Sequence, residues 1–114
     1  MAIDIVTAST GTTLKAPGVY AIAAPSADKT WQLGAPTGGA EVTVLVDTNS
    51  TKVVTVQTES SAVTFFGSTS DRMAVSTGQA CVRLDFIGVS TSQWAFGVAS
   101  KSTAAPITLS GSTR

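Results

Sequence analysis

The chain has 114 residues, seven Lys and Arg against seven Asp and Glu, and no histidine. That length supports one domain with one core, and a net charge of zero gives no drive toward phosphate backbones or anionic bilayers. The missing histidine removes the commonest general base, the commonest metal ligand and the usual pH switch.

Only 12% of residues are charged, while 18 are Thr and 14 are Ser, so the polar surface is mostly hydroxyl. With a mean hydropathy of +0.30, this composition predicts a surface largely covered by copies of the chain or by a larger partner.

Strand signals dominate the chain, because Val, Thr, Ser and Gly outnumber the strong helix formers. Ile3 to Thr7, Gly18 to Ala23 and Thr30 to Leu33 are the first three candidates. Ala35-Pro36-Thr37-Gly38-Gly39 then reads as a mobile loop. Ala40 to Asp47 sets Val42, Val44 and Val46 on one face and Thr43 and Leu45 on the other. Asp47-Thr48-Asn49-Ser50 is a turn signal, and Thr51 to Thr58 reads as the return strand, with Val54 and Val56 inward.

Ala62 to Phe66 and Arg72 to Val75 are short strands on either side of the loop Gly67 to Asp71. The neighbours Phe65 and Phe66 must point to opposite faces, so either a bulge occurs there or the outward ring marks an interface. The clearest alternation is a hairpin. Gln79 to Ile87 puts Val82, Leu84 and Phe86 on one face, and Gln93 to Ala99 does the same with Trp94, Phe96 and Val98. Gly88 to Ser92 is the expected loop between them. Turn signals every 8 to 12 residues are typical of an all-β antiparallel sandwich or small barrel.

Residues 1–99 are read as that domain. Residues 100–114 are read as a Ser/Thr/Ala-rich tail, either frayed or an arm docking on a neighbour, with Ile107-Thr108-Leu109 its one stretch able to pair as a strand.

No catalytic constellation is legible. The acids at 4, 28, 41, 47, 59, 71 and 85 form no pair in sequence, and Lys15, Lys29, Lys52 and Lys101 stand in polar surroundings. Asp47-Thr48-Asn49-Ser50 is too short and too poor in acids for a calcium loop. The glycines match no phosphate-binding fingerprint, and Asn49-Ser50-Thr51 matches a glycosylation sequon that is read as a turn. The single cysteine, Cys81, shares a strand face with Arg83 and Asp85 and is read as a packing residue at a second interface.

The expectation is a protein without enzymatic activity, cofactor or metal. It is expected to bind no nucleic acid and no membrane, and to carry no signal peptide. Trp94 belongs to the core alternation. Trp31, beside Lys29 and Gln32, is read as exposed and able to anchor an interface. The expected contact residues are Trp31, Phe65, Phe66, Cys81, Ile107 and Leu109.

In texture and order the chain resembles the small all-β head-decoration (cementing, minor capsid) proteins of tailed bacteriophages. The resemblance rests on Gly18-Val19-Tyr20-Ala21-Ile22 and on the Val/Thr-rich segments Val42 to Val46 and Val53 to Val56. It continues through Thr-Phe-Phe-Gly-Ser-Thr at 64 to 69 and Thr91-Ser92-Gln93-Trp94-Ala95-Phe96, followed by a Ser/Thr/Ala-rich tail. It implies a homo-oligomer, a trimer in the favoured form, that binds the major capsid protein on the outside of the virion after synthesis in the host cytoplasm. It carries over no catalytic residue. The alternative is a glycan-recognising module of a tail fibre or adhesin, with Trp31 or Tyr20 as its sugar platform.

Overall fold

Val and Thr alternating with a period of two favour extended backbone, since β-branched side chains fit a pleated, half-buried surface. A computed structural model describes residues 3–6, 13–22, 27–48, 52–76, 79–100 and 106–111, and these hold eleven strands and no helix. The strands are β1 (Ile3–Val6), β2 (Thr13–Leu14), β3 (Gly18–Ile22), β4 (Lys29–Leu33), β5 (Glu41–Thr48) and β6 (Val54–Thr58). They continue with β7 (Thr64–Phe65), β8 (Arg72–Val75), β9 (Gln79–Ser90), β10 (Gln93–Ser100) and β11 (Ile107–Ser110).

Two sheets pack face to face as a sandwich, not a closed barrel. One has six strands in the order β1-β3-β5-β9-β10-β7, and the other has five in the order β11-β8-β6-β4-β2. From β1 to β8 the chain changes sheet at every connection. Up to β6 a strand meets its sheet neighbour only after the chain has crossed over and back with its direction restored, whereas β6 and β8, also two crossings apart, run antiparallel. The pairs β1–β3, β3–β5, β2–β4 and β4–β6 are parallel for this reason, and β7 also runs parallel to β10. The sheets are thus mixed where antiparallel pairing was expected. The segment taken as a return strand for β5 is β6, which lies in the opposite sheet between β4 and β8.

The core lies between the sheets. Val42, Val44 and Val46 of β5 and Val82, Leu84 and Phe86 of β9 face Trp31, Leu33, Val54, Val56, Met73 and Val75 of the other sheet, all buried. Each such side chain contributes about 1.5–3 kcal/mol relative to exposure. Phe65 meets Phe96 edge-on with ring centres 5.5 Å apart, and Phe86 meets Trp94 edge-on at 6.4 Å.

The expected hairpin is present as β9–β10, with strands longer than their alternation suggested. Its turn is Thr91–Ser92, and the register shifts at Gln93/Trp94. Strand β9 continues through Gly88, whose N–H donates to the Ala40 carbonyl at 2.7 Å. A Cβ on Gly88 would run into the Thr37 carbonyl, so only glycine lets the 37–40 loop lie against β9 there.

At the other end of the chain, Ile107–Ser110 pairs antiparallel with β8 of the same molecule and its side chains Ile107 and Leu109 pack on the core. Of the expected tail, 101–105 and 112–114 lie outside the described residues, as do Asn49, Ser50 and Thr51 of the sequon.

Candidate functional site

The outward positions of β9 are its odd-numbered residues, because Val82, Leu84 and Phe86 point into the core. Cys81, Arg83, Asp85, Ile87 and Val89 therefore stand on the outer face of the six-stranded sheet. Ile87 is 47% exposed and Val89 44% exposed. Ile87 is flanked by Glu41 of β5 and Ala95 of β10. Beyond Ala95 comes Phe66, whose N–H donates to the Trp94 carbonyl at 2.8 Å and whose ring is 58% exposed. Phe66, Ile87 and Val89 are the large hydrophobic side chains most exposed among the described residues.

The middle of this face is polar but internally satisfied. The Asp85 carboxylate accepts from Thr43 Oγ1 at 2.9 Å and from Arg83 Nε at 3.1 Å. The Arg83–Asp85 ion pair is 58% and 43% exposed, so water screens most of its energy. Val19, Ala21 and Leu45 are half-buried on the same face, and Gly97 and Ala99 are exposed. The surface this builds is flat, with the self-neutralising Arg83–Asp85 pair in its middle and an apolar end bordered by exposed Glu41. Such a surface suits contact with another protein surface rather than capture of an ion.

The expected contact residues separate in this geometry. Phe66 and Cys81 are exposed on or beside the outer face. Phe65 is 0% exposed, so the two adjacent rings split between core and surface with no bulge in β7 itself. Ile107 and Leu109 are half-buried on the edge strand of the other sheet.

Trp31 is a correction: it is 1% exposed and packs in the core. Its polar neighbours in sequence suggested a surface position, but Trp31 and Leu33 are two residues apart on a strand and share the inward face. Ile87 and Val89 were the residues missed. The alternation Cys81–Arg83–Asp85 already pointed to their face, but Gly88 read as the start of a loop and ended the strand too early.

A groove of about 780 Å³ opens at one end of the sandwich, lined by Thr13, Lys15, Gln32, Gly34, Glu41 and Glu59 among others. It presents one cation, two carboxylates and no aromatic ring. Tyr20 is half-buried, and its hydroxyl is engaged with the backbone of Lys15, accepting from the N–H at 2.9 Å and donating to the carbonyl at 3.2 Å. Neither proposed sugar platform therefore presents an open ring face: Trp31 is buried and Tyr20 is held against its own loop. Among the described residues no three of His, Cys, Asp and Glu cluster as metal ligands would. No helix there is long and apolar enough to cross a membrane.

Compared with known proteins, the chain matches no protein-family model and no curated protein.

Proposed function

We propose that the chain is a structural protein that docks through the outer face of its six-stranded sheet onto a repeated protein surface. In the most specific form of this reading it decorates the outside of a phage capsid and bridges major capsid subunits. The observation that carries it is the exposed apolar end formed by Phe66, Ile87 and Val89 on a face of few charges. The resemblance described above supplies the identity of the surface. Self-association, as the trimer such decoration proteins form, belongs to the same reading.

The mechanism is thermodynamic linkage. A protein that binds only the assembled lattice stabilises it by RT ln(1 + [L]/Kd) per site, about 2.7 kcal/mol at a hundredfold excess over Kd. Contacts of this kind depend little on salt, since few charges are involved.

The test is co-sedimentation with empty shells of the cognate major capsid protein. Binding at 0.15 M and 0.5 M salt, lost in Phe66→Ser and Ile87→Ser, is the expected result. A protein that ignores shells but binds a glycan array would favour the adhesin reading instead.

A further inference from the structure

The six-stranded sheet is incomplete along one side. Strand β7 pairs with β10 only at Gln93 and Trp94, and the chain then turns away after Phe66. Backbone groups of successive strand residues point alternately to the two sides. The Trp94 carbonyl accepts from Phe66 and so faces β7. Ala95, Gly97 and Ala99 then face β9, and Phe96 and Val98 face outward with no strand beside them among the described residues.

Below this open edge lies the matching edge of the other sheet. The two edges are tied together where Phe65 N–H donates to the Ser70 carbonyl and Asp71 N–H to the Ser110 carbonyl of β11. Phe96 and Val98 on one side and Ile107 and Leu109 on the other are all half-buried against the core.

Exposed strand edges are ordinarily blunted by a lysine, a proline or a bulge. The stretch Ala95-Phe96-Gly97-Val98-Ala99 has none of these, and its register shift lies at the covered end, at Gln93/Trp94. It also reads nearly the same in both directions: small, large, glycine, large, small. Two copies related by a two-fold axis present such a stretch to itself. Any charge on the stretch would face its own copy, and residues 95–99 carry none; the nearest charges on β9, Asp85 and Arg83, lie one strand away and pair with each other.

We propose that the free edge of β10 pairs antiparallel with the same edge of a second copy, with Gly97 on the two-fold axis. Phe96 of each chain stands opposite Val98 of the other, and the pairing ends there because Phe66 already lies beside Ala95. Both residues face the partner, so the two pairs exchange about four backbone hydrogen bonds. The six-stranded sheets of two molecules become one continuous sheet, and Phe96 and Val98 lose their remaining contact with water. The contact is two-fold and needs no shell, so it goes beyond the docking reading. In solution it excludes the trimer of that reading, so a two-chain mass removes the trimer while leaving shell docking to its own test.

The test reads mass by light scattering and amide exchange by NMR, with Gly97→Ala and Gly97→Lys as variants. A Cβ on Gly97 meets nothing within 4 Å, so both variants keep the fold. The expected result is a mass of two 11.5 kDa chains for wild type and Gly97→Ala, with slow exchange at Phe96 and Val98. In Gly97→Lys, like charges directly opposite each other raise the dimer dissociation constant roughly tenfold or more, and both amides exchange fast.

A single-chain mass up to about 1 mM, where even weak pairing would register, would overturn the proposal. So would a three-chain mass, or association unchanged by Gly97→Lys with fast exchange at both amides. Shell binding is measured separately, so either idea can fail while the other stands.

Discussion

The indole of Trp94, on β10 of the six-stranded sheet, donates from Nε1 to the carbonyl of Gly34, just past β4 of the five-stranded sheet, over 3.1 Å. The bond pins one sheet to the other at the groove end of the sandwich. Gly34 in turn donates its N–H to the Leu14 carbonyl at 2.8 Å, so the tie reaches the edge strand β2. The other tryptophan differs. Trp31 is equally buried, yet its Nε1 has no hydrogen-bond partner among the described residues.

The two tryptophans are therefore expected to respond differently to the same change. Trp94→Phe removes a made bond and strands a carbonyl, at a cost of about 1–3 kcal/mol beyond the lost packing. Trp31→Phe removes an unpaired donor along with some volume, and its two effects offset each other to within about 1 kcal/mol. Urea denaturation of both variants checks this. Equal destabilisation would contradict it.

Phe65 and Phe66 give a second contrast. Phe65→Ala opens the ring cluster with Phe86 and Phe96 and is expected to cost about 3–5 kcal/mol. Phe66→Ser should leave stability within about 0.5 kcal/mol, because the ring is already mostly in water. Thermal melts of the pair measure the difference, and a destabilised Phe66→Ser would mean that the ring is structural.

Gly88→Ala adds one carbon where the Thr37 carbonyl already lies. The 37–40 loop must shift and gives up its hydrogen bonds to Gly88, so a loss of about 1–3 kcal/mol is expected. Amide exchange at Gly39 and Gly88, both engaged in these bonds, should rise locally in the same variant.

Arg83→Ala breaks the ion pair on the outer face. Because both partners are about half exposed, the expected loss is below about 1 kcal/mol, and it should shrink further in 0.5 M salt. Melting temperatures at two salt concentrations test this, and a large salt-independent loss would contradict the surface character of the pair.

Much of the fold was legible because burial imposes a period of two. Val42, Val44 and Val46, the inward set Val82, Leu84 and Phe86, and the strand Arg72–Val75 all lie as their alternation requires. Alternation says which side chains turn inward, but not which sheet a strand joins. That is why β6 looked like a partner for β5, and why the parallel pairs were hidden. Strand β2, two residues long, carries no period at all.

At the candidate site alternation showed that one of two adjacent rings must face out, but not that it is Phe66 rather than Phe65, which is buried. Ile87 and Val89 were lost to a glycine read as a loop. Trp31 was misplaced by judging it on flanking charge rather than on its spacing from Leu33.

The crossing back and forth between sheets also sets an order of events in time. Among the described strands only β9 and β10 are joined by a tight turn within one sheet, so only they can zip together locally. Every other pair must first close a longer loop, which places the fold among slow, millisecond-to-second folders. During synthesis the hairpin emerges after β1 to β8, and β5 cannot find its partner β9 until then. The pairs available to the first two-thirds of the polypeptide, such as β1–β3 and β3–β5, must wait for β9 and β10 to complete the six-stranded sheet and its share of the core. A chain truncated before Gln79 should accordingly show no cooperative unfolding transition.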